Sequence, residues 1–402
     1  MIVVQKNKQL LLIFLDGLKP ESLSEMPFLN SFRTKGRIKG EYGYSIACHG
    51  SMYSGVHTKD HGLWFVWFKN KFGGPFSIFN SFNNRFFSSF LIYKLLIHKL
   101  VSMTVGRFNT SFFGIPRFVH VNNKMISMLD VIEKRNYDEP DYLTLVPSLF
   151  DYFRKNTVSY TVVGMDKSFK EESEILNRFS EHRKEDVTYW FLGDVDHFSH
   201  KYTQESSEAK RKLRALDALL KNKYEELVST VGSVDLIVWS DHGHITVKER
   251  VDLYSVFKQE NLSLTRYDHV IDGTFARFWV KSKEEEQEIL SVFNKHLAGL
   301  FEVLDEQKLK DHNLYQTDEK YGNLIIALLP GSIFTKTIWG WSKGNNSMHG
   351  YNPNYPECDG VIISNLNLDL DNCRLVDITP TVLNYVGIKV PGFMDGKSLL
   401  DE

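Results

Sequence analysis

The chain has 402 residues, 42% of them hydrophobic and 24% charged, with a formal net charge of −2. That is the make-up of an ordinary soluble globular protein, long enough for one large core with insertions or for two to three domains. The near-neutral total excludes a partner selected by bulk charge, and it conceals one asymmetry. From His61 to Leu129 there is no Asp or Glu while eight Lys or Arg occur, so the remaining residues carry −10, the total of −2 less the +8 of this stretch. The three cysteines, Cys48, Cys358 and Cys373, form no paired spacing, which excludes a disulfide framework and a CxxC metal knuckle. The amino-terminal MIVVQKNKQLLLIFLDG lacks a basic region, a long apolar stretch and a small-residue cleavage site. An intracellular, cytoplasmic protein is expected.

In chain order, the first apolar run, Leu10–Leu15, reads as a strand covered on both faces, and it ends on Asp16 and Gly17. Ser45 follows in SIACHG. A first insertion, residues 64–139, holds 13 of the 29 Phe together with Trp64 and Trp67. Within it Phe86–Met103 reads as a helix, but Lys94, His98 and Lys99 interrupt it, and a spanning helix needs about twenty nearly charge-free positions. No transmembrane segment is expected, while contact of this cap with a membrane surface is one use open to it. Leu149–Lys155 is a short amphipathic helix leading into a strand at Ser159–Val163. A strand at Thr188–Leu192 runs into GDVDHFSH, and Ser206–Thr230 is a helix with Leu213, Leu216, Leu219, Leu220 and Leu227 on one face. The strand Val234–Trp239 runs into SDHGH. A second insertion, residues 267–334, reads strand (Ala276–Val280), helix (Glu284–Leu300), strand (Asn323–Leu329), a small α+β subdomain. His349 follows in the Gly-rich KGNNSMHGYNP.

Strands alternating with helices indicate a doubly wound α/β core with a mostly parallel sheet and helices on both faces. It is assembled from residues 1–63, 140–266 and 335–402, with a cap at 64–139 and the subdomain at 267–334. Open α/β sheets bind ligands at the carboxyl ends of their strands, and that is where the Asp and His clusters fall. Each residue alone has a bland reading. A strand-end Asp such as Asp16 is usually a cap or turn former, and a lone loop imidazole such as His349 is usually solvated. In company they read differently. Asp196 and His200, four apart, share one face of a helix as a metal pair requires, with Asp194 and His197 as nearby alternatives. Asp241 and His242 splay from a strand end, and His244 is placed to orient a ligating group. Carboxylates and imidazoles without thiolates suit Zn²⁺ or Mn²⁺, and two such ions about 3.5–4 Å apart clamp an in-line phosphoryl displacement.

On these motifs the chain resembles the alkaline phosphatase superfamily, and within it the type I phosphodiesterase/nucleotide pyrophosphatase family. The residues carrying the resemblance are the strand-ending Asp16-Gly17, the stretch SGVHTKDHG with Ser45 ten residues before Gly55, Asp196 and His200 as D-x-x-x-H, Asp241 to Gly243 as D-H-G, and His349 to Tyr351 as H-G-Y. The closing DITPTVLNYVGIKVPGFMDGKSLL is similar to the family's last helix and tail, and GTFARFW with YGNLIIALLPGSIF to its small subdomain. The resemblance implies an alkaline-phosphatase-like fold and two divalent metal ions, Zn²⁺ or alternatively Mn²⁺. One ion would be held by Asp196, His200 and His349, the other by Asp16, Asp241, His242 and the Ser45 oxygen. Ser45 would be the nucleophile and form a phosphoserine intermediate.

The chain departs from the family pattern at two places. Ala47 stands where a Pro is frequent, and Val66 lies near the place of an Asn that holds a phosphate oxygen in nucleotide pyrophosphatases. His49 or backbone N–H groups would substitute for that Asn, and His49, Trp64 and Trp67 are the expected substrate-contacting side chains. The expected reaction is metal-dependent cleavage of a phosphodiester by a hydrolase, on a small phosphate ester, phospholipid or nucleotide-like substrate. The alternatives are a phosphomonoesterase, a phospho-group transferase or mutase, a sulfatase-like hydrolase, or an inactive phospho-ligand binder. No C/S-x-P-x-R setting for formylglycine exists around Ser45 or Cys48, where Cys48 is expected to pack beside the nucleophile. No nucleic-acid-binding motif is present in the basic aromatic insertion.

Overall fold

Gln9–Leu15 (β1) is apolar at all but its first position, and in the computed structural model it is buried along its whole length at the middle of a six-stranded sheet. The structure describes residues 9–74, 77, 121, 123–165, 176, 185–342 and 344–400. The other strands of the sheet are β2 (Thr34–Ile38), β3 (Tyr160–Val163), β4 (Val187–Leu192), β5 (Val234–Trp239) and β6 (Gly360–Ser364), in the spatial order β2-β6-β5-β1-β4-β3. β1 is parallel to both β4 and β5, and β3 is parallel to β4. β6 runs antiparallel between β5 and β2. The fold is the alkaline-phosphatase-like α/β arrangement, with a mostly parallel central sheet.

The alternating side chains of β1 explain the layers on its two faces. Leu11, Ile13 and Leu15 belong to a buried cluster with Leu236 and Val238 of β5 and with Leu213, Leu216, Leu220 and Leu227 of the long helix α3 (Ser207–Val231). Ser206 caps that helix by accepting from the Ala209 N–H, and Gly232 follows its last turn. Phe14 points to the other face, where its ring lies 5.0 Å from Phe191 and 5.3 Å from His49 of helix α1 (Ser45–Ser54). Helix α2 (Asp194–Tyr202) starts directly beyond β4.

The chain divides into two compact units, one of Met1–Gly62, Asn136–Thr246 and Asn352–Glu402, the other of Leu63–Arg135 and Val247–Tyr351. The six-stranded sheet belongs entirely to the first. The second contains a four-stranded antiparallel sheet in the order His269–Ile271, Phe275–Phe278, Leu324–Leu328, Phe301–Val303. Ile289, Val292 and Phe293 of the helix Lys283–His296 complete its core. In the same unit Trp67–Lys69 pairs with Leu129–Val131, at the two ends of the Phe-rich stretch. The expected helix Phe86–Met103 lies outside the described residues. Among the described residues no helix is long and apolar enough to cross a membrane.

Ile13 sits at the centre of the cluster beneath the site-bearing strand ends, 1% exposed. Ile13→Ala should therefore lower the unfolding free energy by about 3 kcal/mol and Ile13→Val by about 1 kcal/mol, measured by urea denaturation of the full chain. Equal effects of the two variants would contradict this placement.

Candidate metal centre

Parallel pairing sets the stage for the site. Leu15 is level with Leu192 of β4, and Phe14 with Trp239 of β5, so the next residues of all three strands emerge along one edge of the sheet. Those residues are Asp16, the Gly193-Asp194 start of α2, and Ser240-Asp241-His242. The Asp16 N–H still donates to the Leu192 carbonyl at 3.0 Å, which holds the residue on the sheet while its side chain turns into the site.

Two clusters form there within the first unit. In one, His242 Nε2 lies 3.1 Å from Ser45 Oγ, 3.3 Å from Asp241 Oδ2 and 3.6 Å from Asp16 Oδ1. The other Asp241 oxygen accepts the Gly17 N–H at 3.2 Å. In the second cluster, Asp196 Oδ1 lies 2.8 Å from His244 Nε2 and 3.3 Å from His200 Nε2. The one-turn spacing of Asp196 and His200 on α2 brings them to the same face, as four-residue spacing requires. His197 is exposed and Asp194 opens the helix half-buried. The two clusters join at Gly17. Its φ of +73° is left-handed, and a Cβ there would stand 3.0 Å from His244 Nε2 and 3.1 Å from Asp196 Cα.

Several atoms of this centre are built to receive a cation. Asp16 Oδ1 and Asp241 Oδ2 are buried and have no hydrogen-bond partner, an arrangement that costs free energy unless a counter-charge is supplied. Burial, followed by the charges of Asp241 and Asp196, pushes the Asp16 carboxyl well above the usual carboxylate range. One oxygen or nitrogen from each of Asp16, Asp241 and His242 lie within 4.8 Å of one another, as do those of Asp196, His242 and His244. This oxygen and imidazole set fits Zn²⁺ or Mn²⁺.

Ser45 opens α1 with Tyr44 as its N-cap. Of the three serines of this helix, it is the one that meets the Asp and His cluster. Ser51 is wholly buried and bonded to Glu41 Oε1 (2.9 Å) and His61 Nε2 (3.1 Å), and Ser54 donates to the Gly50 carbonyl (2.6 Å). Cys48 is buried one turn along, its thiol held well above the ordinary range first by burial and then by Asp241, so it stays protonated. His49, four residues after Ser45, bonds Tyr137 Oη through Nδ1 at 2.9 Å and directs Nε2 to within 3.9 Å of Asp241 Oδ2. Burial lowers its pKa to about 4, so the imidazole is neutral at physiological pH.

The Tyr137 and His244 contacts were not readable from spacing. Tyr137 lies 88 residues from His49, and His244 shares no periodic face with Asp196. Trp64 and Trp67 belong to the second unit, where they are 2% and 1% exposed. Trp64 packs there on Phe65 (ring centroids 4.6 Å apart) and Tyr321 (5.9 Å). Val66 is buried in the same unit, its carbonyl accepting the Ile132 N–H at 3.0 Å. His349 also falls in that unit, buried, directly after the short strand Ser347–Met348.

Residues 10–352 match the family model described as type I phosphodiesterase/nucleotide pyrophosphatase. No curated protein matches the chain by sequence. Among solved structures, human ectonucleotide pyrophosphatase/phosphodiesterase 5 superposes with a TM-score of 0.68 at 10% identity, covering 97% of each chain. An inactive variant of the murine protein in complex with AMP superposes with a TM-score of 0.66 at 11% identity, covering 96% of each chain. At these identities the likeness is one of fold.

Gly17→Ala should weaken Zn²⁺ binding by about tenfold or more, read by calorimetric titration of the apoprotein. Unchanged affinity would show that the Asp196–His244 contact does not depend on this close approach. A second expectation concerns the buried neutral His49. Its folded pKa lies below the ordinary 6.5, so the unfolded chain binds the extra proton and stability is lost as pH falls from about 6.5 towards about 4. Urea midpoints of the apoprotein should fall less steeply with acidification in His49→Gln than in the parent across that window, and parallel slopes would contradict it.

Proposed function

The chain belongs to the type I phosphodiesterase/nucleotide pyrophosphatase family, and from that premise we propose that this phosphoric ester hydrolase cleaves a phosphodiester through a phosphoserine intermediate on Ser45. The observation that carries the reading is Ser45 Oγ, 3.1 Å from His242 Nε2 at the start of α1, beside the unpartnered oxygens of Asp16 and Asp241. We assign one divalent ion to Asp16, Asp241, His242 and the Ser45 oxygen. The other is assigned on the motif to Asp196, His200 and His349. Bound there, such ions supply Lewis-acid stabilisation of phosphoryl charge and ease deprotonation of a hydroxyl.

The chain's own groups do the positioning. Amides in the first turn of a helix have no intrahelical acceptor and sit at the positive end of its dipole, so the start of α1 favours the anionic oxygens of a phosphoryl group beside Ser45. Ser45 Oγ forms the new P–O bond while the bond to the departing alcohol breaks, and the hydroxyl proton ends on that alcohol. Water then displaces Ser45, whose oxygen recovers a proton. Asp241, fixed by the Gly17 N–H, and Asp196, fixed by His244, keep their carboxylates aimed during both steps. His49, neutral and braced by Tyr137, stands one helical turn behind Ser45. It supports Asp241 or donates to a phosphoryl oxygen, a role consistent with Val66 at the place where nucleotide pyrophosphatases use Asn. The AMP complex of the murine structure makes nucleotide diesters one class to test.

Bis(p-nitrophenyl) phosphate should be hydrolysed faster than p-nitrophenyl phosphate, EDTA should abolish turnover, and added Zn²⁺ or Mn²⁺ should restore it. Ser45→Ala should lower kcat by about 10³-fold or more. Turnover that survives both EDTA and Ser45→Ala would sink the mechanism. A reversed preference would replace the diesterase with a phosphomonoesterase.

A further inference from the structure

Where β2 and β6 reach the edge that carries the Asp and His cluster, the first unit holds an open cleft of about 570 Å³ whose charged lining is dominated by Arg37, Lys39 and Arg374, with Asp359 as the one carboxylate among the lining residues. The three cations come from two segments far apart in sequence. Arg37 is in β2, Lys39 follows that strand, and Arg374 lies in the loop that bridges to Lys39. Leu370 and Pro353 supply apolar surface between them.

The cations are held partly by neutral acceptors and partly by carboxylates. Lys39 Nζ donates to the neutral Asn354 Oδ1 at 2.7 Å. Arg374 Nη2 donates to the Asp395 carbonyl at 3.1 Å. It also stands 3.5 Å from Asp377 Oδ1, a carboxylate that accepts the N–H groups of Arg374 (2.8 Å) and Lys397 (2.9 Å) as well. Arg37 donates to the Pro356 carbonyl at 2.7 Å, pairs with Glu21, and stands 3.7 Å from Asp359. Two planar guanidiniums and an ammonium around one cavity are the groups that recognise phosphate and other compact anions. The cavity is also of a size usual for small-molecule sites.

Both walls of the cleft continue into the catalytic edge. On one side the Lys39 N–H donates to the Cys373 carbonyl (2.9 Å) and the Leu375 N–H to the Lys39 carbonyl (3.1 Å), fixing the strand end to the Arg374 loop. The next residue, Gly40, packs so closely that a Cβ there would lie 2.6 Å from the Asp241 carbonyl oxygen. On the other side, the turn Pro356–Cys358 is held by Arg37 and in turn holds the site, because the Cys358 carbonyl accepts the Gly243 N–H at 2.9 Å. The stretch Asp241-His242-Gly243 is thus gripped between two segments whose side chains line the cleft.

We propose that this cleft is a second anion site, separate from the metal centre, that binds a phosphorylated small molecule with an apolar body and adjusts turnover through Gly40 and the Pro356–Cys358 turn. Phosphoryl oxygens bind Arg37, Lys39 and Arg374 while the body rests on Leu370 and Pro353.

The probe is 8-hydroxypyrene-1,3,6-trisulfonate, a fluorescent polyanion with a flat apolar body, titrated into the full chain with and without EDTA. Binding should be saturable, indifferent to EDTA and to Ser45→Ala, and displaced by millimolar inorganic phosphate. It should weaken about tenfold or more in Lys39→Ala/Arg374→Ala and about threefold in Lys39→Ala alone, which serves if the double variant does not fold. Saturating probe should change kcat for bis(p-nitrophenyl) phosphate at least about twofold in the parent and not in the variants. Binding that is absent, lost on chelation, insensitive to phosphate or unchanged in both variants overturns the site. Binding with unaltered kcat overturns the coupling. Since the binding readout needs neither metal nor Ser45, it stands or falls apart from the proposed hydrolysis.

Discussion

Three carboxylates, those of Asp16, Asp196 and Asp241, are brought to one edge of a sheet, and their charges need a positive partner. Asp16 Oδ1 and Asp241 Oδ2 are buried without a hydrogen bond, and burial first, then the charges of Asp241 and Asp196, raises the Asp16 pKa. A fold does not hold such a group for stability alone, because uncompensated buried charge is strongly unfavourable. Of the surrounding imidazoles, His244 is pushed by burial to about 4 and is neutral at physiological pH, so it supplies no fixed positive charge. The cluster therefore makes physical sense as a cation site, and the family to which the chain belongs gives that site a phosphate ester to act on.

The rest of the first unit can be understood as the apparatus that enforces this crowding. Parallel pairing of β1 with β4 and β5 aligns three strand ends. Leu11, Ile13 and Leu15 anchor β1 on α3 through apolar burial of the usual kind. The local devices are backbone ones: the left-handed Gly17 lets α2 and the His244 loop approach, and its N–H fixes one oxygen of Asp241. Ser45 reaches the cluster because a helix begins there, while Ser51 is committed to the buried Glu41 and His61 and cannot.

Much of the fold was legible. The four strands read from continuous apolar runs are all present, and the long Ser206–Thr230 pattern is the helix Ser207–Val231. What escaped were the two strands at one side of the sheet. Thr34–Ile38 (TKGRI) is charged and alternates in exposure because it lies at an edge, and Gly360–Ser364 is a brief run whose antiparallel partners lie far away in sequence. Their detection needs the partner strand, since short-range pattern reports only how a segment is buried.

By itself the sequence determined the chemistry available: carboxylates and imidazoles at the ends of apolar strands, no thiolate ligand spacing, and motifs in the order of one family. These are properties of residue type and local period, which a one-dimensional reading retains. Only the tertiary structure decided which atoms meet. It placed His244 on Asp196 and Tyr137 on His49, and packed Trp64 and Trp67 into the core of the second unit. It also assembled the cationic cleft from segments more than three hundred residues apart. Such contacts depend on strand register, on left-handed glycine turns and on loop closure over long separations, and none of these leaves a periodic trace in the chain.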